Sequence, residues 1–150
     1  MSNDTTPLID PRGPRFGAVI TSVVLIIILA TSSGWLAAAQ TVVFAIGALA
    51  GLKYAPYGYI YRALVRPRIG APTELEHPNP PRFAQGVGAL FGLIATIGYL
   101  SGVTPLGVVA AAFALAAAFL NAAFDYCLGC EVYLLLRRST PRRRPVEQQG

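Results

Sequence analysis

Charge is scarce in this 150-residue chain: 13% of residues carry it, where a soluble domain carries about 25%. It is missing altogether from residues 16–52 and 83–124, which contain no Asp, Glu, Lys or Arg. Histidine occurs once, at His77, and cysteine twice, at Cys127 and Cys130. The chain has no Ser/His/Asp arrangement, phosphate-binding loop or dinucleotide fingerprint, so nothing supports a serine hydrolase or a nucleotide enzyme. A structural zinc module would need a second C-x-x-C or a spaced histidine pair, and neither is present.

The two uncharged stretches are what the sequence has in place of polar chemistry. About 18 consecutive apolar residues already suggest a membrane span. Each stretch is too long for one helix: at about 1.5 Å per residue either would exceed about 55 Å, against a hydrocarbon core of about 30 Å. Each therefore predicts two helices and a tight turn. Ser32-Ser33-Gly34 interrupts the first stretch and Ser101-Gly102-Val103-Thr104-Pro105 the second. The predicted spans are 16–32, 35–54, 83–100 and 105–126. A cleaved signal peptide is the alternative for the first stretch, with Arg12 and Arg15 as its basic region and Ala37-Ala38-Ala39 as the cleavage site. Cleavage would leave residues 40–52 too short to cross.

All twelve basic residues fall in three segments: before the first span, between the second and third, and after the fourth. The two outer turns have none. Four spans place these three segments on one side, and the positive-inside rule makes that side the cytoplasm. The expected layout is a multi-pass protein of a bacterial inner membrane with both termini cytoplasmic. The net charge of +5 fits topology control and attraction to anionic lipid better than nucleic-acid binding. The tail from residue 139 onward reads as disordered and basic.

Two pairs of segments match in a way that reads as an internal repeat, the alternative being shared interface composition, since Pro, Arg, Phe and Tyr are common at membrane boundaries. "DPRGPRF" at 10–16 and "HPNPPRF" at 77–83 share the pattern X-Pro-X-X-Pro-Arg-Phe, and each opens an apolar hairpin. "YAPYGYIYRALVR" at 54–66 matches "YCLGCEVYLLLRR" at 126–138 at Tyr54/Tyr126, Tyr61/Tyr133, Leu64/Leu136 and Arg66/Arg138. The expected fold is an all-α membrane domain of two tandem helical hairpins, residues 10–68 and 77–138, related by an axis along the membrane normal. Gly47/Gly51 and Gly88/Gly92 form G-x-x-x-G pairs that predict contact between the second and third helices. In the fourth helix, Val109, Ala112, Ala116, Ala123, Cys127 and Cys130 share a stripe expected to face the bundle. Asn121 is expected to bond across helices. Asp125 reads first as an interface acid, snorkelled or paired with arginine, and second as a proton-transfer group.

Cys127 and Cys130 admit three readings. As a redox or sulfur-transfer pair they share a helix face, with Arg137 and Arg138 nearby to favour thiolate. A dithiol on the cytoplasmic side is normally reduced, so a catalytic or sensing role fits better than a structural disulfide. Cys127 is then the nucleophile and Cys130 the resolving thiol. As metal ligands they would need His77, with Glu131 near. As packing residues they would simply be small, and the matched positions Ala55 and Gly58 are small too. No cofactor is implied. Four helices make a narrow path for transport unless the protein forms homo-oligomers.

At "IDPRGPRF", "RPRIGAPTELEHPNPPRFAQ" and "AAFLNAAFDYCLGCEVYLLLRR" the chain resembles a small bacterial membrane family, frequent in actinobacteria, known as domain of unknown function 4395. The resemblance covers about residues 9–138 and is most specific around the cysteines. It implies a four-helix membrane protein with no assigned activity. Association of family members with thioredoxin-like and thiosulfate-sulfurtransferase proteins implies thiol or sulfur chemistry, with Cys127 and Cys130 as the candidate functional residues. A soluble protein of either kind is the expected partner, beside the lipid bilayer itself.

Overall fold

The structure is a computed structural model that describes residues 7–139. The tail from residue 140, expected to be disordered, lies outside the described residues. Helices α1 (Arg12–Thr31) and α2 (Gly34–Ala45) form the first hairpin, and α5 (Asn79–Leu100) and α6 (Thr104–Phe124) the second. Both reversals fall at the expected breaks. Ser32 is left-handed, and Ser33 caps α2 by accepting a hydrogen bond from the Leu36 N–H at 3.2 Å. Gly102 supplies the second reversal with φ 84°, and Pro105 sits in the first turn of α6.

Three helices, α1, α5 and α6, are long and apolar enough to cross a membrane. The second expected span is shorter. α2 continues as a π turn, Ile46–Ala50, until Gly51 breaks it with φ 107°. Gly34–Ala50 then rises about 25 Å, several ångströms less than a hydrocarbon core.

After each hairpin comes an interface segment. A 3₁₀ turn (Leu52–Tyr54) leads to α3 (Pro56–Ile60), a π turn (Tyr61–Val65) and α4 (Arg66–Ile69). After α6, Asp125 closes the helix in the left-handed conformation at φ 54°, and α7 (Leu128–Ser139) begins three residues later. The cysteines are therefore not the end of the fourth helix. They open a separate amphipathic one.

The core is where all four long elements meet, at Leu25, Ile28, Ala37, Ala95, Ala110, Ala111 and Ala114. α5 packs on α2 and α6, and α6 also packs on α1. The predicted contact between the second and third helices is present. A Cβ placed at Gly88 would lie 2.9 Å from the Phe44 ring, and one at Gly92 would lie 2.5 Å from Thr41 Oγ1. Only glycine permits that approach, and in lipid such packing replaces the missing hydrophobic drive. Gly47 touches Gln85, whereas Gly51 ends its helix and touches nothing.

The expected stripe on α6 is corrected. Gly107, Ala110, Ala111 and Ala114 are the buried residues, while Val109, Ala112 and Ala116 are exposed. Every side of α6 is apolar, so hydropathy leaves its rotation undetermined, and closeness of approach selects the face with the smallest side chains. Asn121 is half-buried, and among the described residues its side chain makes no hydrogen bond to another helix. Large apolar side chains cover the outside, among them Trp35, Ile26, Leu90, Phe113 and Phe119, each more than half exposed. A surface of that kind is compatible with a membrane protein.

Candidate functional site

The end of the bundle where α1 and α5 begin is built from residue pairs that match between the two halves of the sequence. Ile9 and Glu76 form a reciprocal antiparallel bridge, with N–H···O distances of 2.8 and 2.9 Å. Asp10 Oδ1 accepts from the Arg12 N–H at 3.0 Å; His77 Nδ1 accepts from the Asn79 N–H at 3.2 Å. Each thus satisfies a donor at the start of its helix, where backbone N–H groups lack partners. The Arg15 guanidinium donates to the Ala122 carbonyl near the end of α6 (3.2 Å). Arg82 donates to the carbonyls of Ala48 and Leu49 near the end of α2, at 2.6 and 2.8 Å. Phe16 stands against Tyr61, and Phe83 against Tyr133; both ring pairs are 5.7 Å apart and inclined at 46°.

Sequence reasoning missed a polar cluster in the first half. Asp10 binds Arg12 through two parallel bonds, Nε to Oδ1 at 3.0 Å and Nη2 to Oδ2 at 2.9 Å, and accepts from the Tyr61 hydroxyl at 2.8 Å. Burial pushes the Asp10 carboxyl up, but the Arg12 and Tyr61 hydrogen bonds and the Arg12 charge outweigh it and hold it at about 2. Burial and the Asp10 carboxylate together raise the Tyr61 hydroxyl. Gln40, also missed, is 2% exposed and accepts from the Tyr57 hydroxyl at 2.6 Å. The repeated Arg-Phe dipeptide at 15–16 and 82–83 was the available signal for the interlocking end. Nothing in the pattern signalled Gln40.

The thiol pair lies on this same end. Cys127 and Cys130 are joined as a disulfide, with Cα atoms 5.1 Å apart, and both residues are half-buried. The expectation of a reduced pair is corrected in this respect. Cys127 directly precedes the first residue of α7. Its carbonyl accepts from the Glu131 N–H at 3.0 Å, and its sulfur accepts from the Cys130 N–H at 3.1 Å. The sulfur therefore occupies the place of a helix N-cap oxygen, where the helix dipole stabilises negative charge. Arg137 and Arg138 lie in the last turn of α7, about 15 Å further along. Stabilisation of a Cys127 thiolate would come from the helix terminus, not from those arginines.

Gly129, between the cysteines, seats this turn directly on α5. A Cβ there would lie 2.6 Å from both Cα and Cβ of Ala84. Asp125 is exposed and forms no ion pair among the described residues. Its structural part is the left-handed turn that separates α6 from α7. His77 and the cysteines do not form a metal centre: no three His, Cys, Asp or Glu side chains among the described residues come together to hold an ion. His77 acts instead as the helix-start acceptor of α5.

The fold and site define an all-helical protein whose apolar helices suit a membrane and whose one disulfide opens an amphipathic helix at the basic end. The model for DUF4395, a domain of unknown function, matches residues 9–138, and the chain belongs to that family. Neither the curated proteins nor the solved structures compared with it gave a match.

Proposed function

We propose that the chain is a four-span protein of a bacterial inner membrane with both termini in the cytoplasm. It is built from two tandem hairpins, and it takes part in thiol redox or sulfur handling through Cys127 and Cys130. The repeat is supported by matched geometry. Ile9 and Glu76, Asp10 and His77, Arg15 and Arg82, and the Phe16–Tyr61 and Phe83–Tyr133 pairs each recur at matched sequence positions. Orientation is supported by Arg12, Arg15 and Arg82, which stand at the end of the bundle where α1 and α5 begin.

The observation that carries the thiol reading is the Cys130 N–H donated to the Cys127 sulfur at the start of α7. A thiolate released at Cys127 would keep that hydrogen bond and the helix dipole, which lower a thiol's pKa. Exchange would begin with a partner's thiolate attacking the Cys127 sulfur. The bond to Cys130 breaks, and Cys130 leaves as a thiolate. A second partner thiol then displaces Cys127, so the partner departs oxidised. A soluble thioredoxin-like or sulfurtransferase protein is the proposed partner.

A second reading, in which the cysteines only pack in a transport or scaffold subunit, is favoured by the small residues Ala55 and Gly58 at the matched positions. Labelling separates the two. The reduced protein is treated with a charged thiol reagent across a pH range, in intact and permeabilised cells. Labelling that requires permeabilisation and persists well below pH 8.5, the ordinary thiol pKa, supports the thiol reading. Thiols that resist the reagent under every condition rule it out. A topology reporter that is active in the cytosol when fused at Gly102 rules out the orientation.

A further inference from the structure

An open groove lies on the second hairpin beside α7. Its walls are Ala48 at the end of α2, Phe83, Gly86, Val87 and Leu90 along α5, and Tyr133 on α7, with Asn79 and Arg82 at its basic end. From Asn79 to Leu90 it runs about 16 Å along an apolar helix. Its upper end is polar and its length is greasy. It therefore suits an amphiphile entering sideways from lipid, with its head at the interface and its chain along α5.

Two observations tie this groove to the disulfide. Tyr133 follows Cys130 by three residues on α7 and so shares its face, and Gly129 is seated on Ala84, next to the groove wall at Phe83. The second observation is an asymmetry. By the register that matches Phe16 with Phe83, the groove floor at Gly86 matches Val19 in the first hairpin. The cysteines likewise match Ala55 and Gly58. Both the bare groove floor and the thiols thus belong to the same hairpin, and the other hairpin lacks both.

We infer that the groove binds an isoprenoid quinone, which exchanges two electrons with the Cys127–Cys130 pair. This rests on the thiol reading above and supplies its electron partner. In the oxidising direction the two thiols lose two electrons and two protons and the sulfur–sulfur bond forms. The two ring carbonyls of the quinone take up both electrons and both protons and become the hydroxyls of a quinol. A membrane-dissolved oxidant of this class would keep the pair oxidised on a side where soluble thiol buffers reduce.

The full-length protein is reduced, placed in nanodiscs with or without ubiquinone, and followed anaerobically by thiol alkylation and quinol absorbance. Ubiquinone is expected to speed disulfide formation about tenfold or more, with quinol appearing in step. Gly86→Val, which reproduces Val19, should slow the quinone reaction about tenfold, the effect of roughly 1.4 kcal/mol of crowding. The protein should accept this change, since a Cβ at Gly86 meets only the Ala48 Cβ at an ordinary 3.9 Å. Oxidation of the same variant by glutathione disulfide should be unaltered. Equal rates with and without ubiquinone, or a Gly86→Val protein as fast as the parent, overturn the inference. If glutathione disulfide also fails to oxidise the parent protein, the thiol reading itself falls.

Discussion

Replacing Gly129 by alanine tests whether α7 is held against α5 by backbone proximity. The new Cβ would stand 2.6 Å from Ala84 Cα and Cβ, about 1 Å inside ordinary carbon contact. Part of that obstacle is main chain of a long helix, so α7 must shift. Overpacking of this kind costs about 1–3 kcal/mol, equivalent to a fall in melting temperature of about 2–12 °C for a chain of this length. Because Gly129 lies within the disulfide turn, the same shift should change the alkylation rate of the reduced cysteines. The matched place in the first hairpin suggests the rescue. There a small residue at Gly17 faces a large one at Tyr57, with the glycine on the long helix. Combining Gly129→Ala with Ala84→Gly removes the Cβ part of the clash but leaves the Ala84 Cα in place, so it should bring the alkylation rate only part of the way back to the parent's. The assays are thermal unfolding in detergent and timed alkylation with mass readout. A single variant with unchanged melting and unchanged thiol kinetics would refute the seating.

Asp10→Asn should alter acid stability. The folded carboxyl is held at about 2, below its ordinary value near 3.8, so it contributes stability that is fully present above pH 4 and is lost as pH falls toward 2. The parent's melting temperature should drop through that window, while the variant should start lower and lack this component of the drop. Arg82→Ala should destabilise by about 1–2 kcal/mol and Arg15→Ala by less, because Arg82 donates to two carbonyls and Arg15 to one. Urea titration in mild detergent ranks them, and the reverse order would contradict the proposed anchoring. Ala55→Cys with Gly58→Cys should yield a second disulfide, since a Cβ built at Gly58 lies 3.9 Å from the Ala55 Cβ, inside the disulfide range of about 3.5–4.5 Å. Mass spectrometry after alkylation reads it directly, and a free dithiol under oxidising conditions would show that the two turns differ.

The hairpins were legible because charge and turn chemistry mark their ends. Ser33 and Pro105 occupy the positions their local preferences predict, and Gly88 and Gly92 meet α2 as their spacing implied, but the first reversal is made by Ser32 at φ 50° and not by Gly34, which opens α2. The rotation of α6 was not legible, because an alanine-rich helix has no polar side to orient it. The break before the cysteines was missed because Asp125 creates it, with neither glycine nor proline present. Arg137 and Arg138 looked close to the thiols in sequence, yet a helix carries them away along its axis. Asp10, Arg12 and Tyr61 were individually visible, but their cluster joins positions 51 residues apart. The Asp10/His77 correspondence lay in the aligned heptapeptides, and its meaning as a shared helix-start acceptor needed coordinates.

The Ile9–Glu76 bridge joins matched positions through main-chain atoms alone, so side chains have no part in its two bonds. The two hydrogen bonds of such a seam can form with any side chain but proline at either place, and here isoleucine faces glutamate. Positions 9 and 76 can therefore change identity while the two hairpins stay joined. The second hairpin carries sulfur and an unfilled flank where the first carries methyl groups and hydrogen, and the joint between them is the same main chain on both sides.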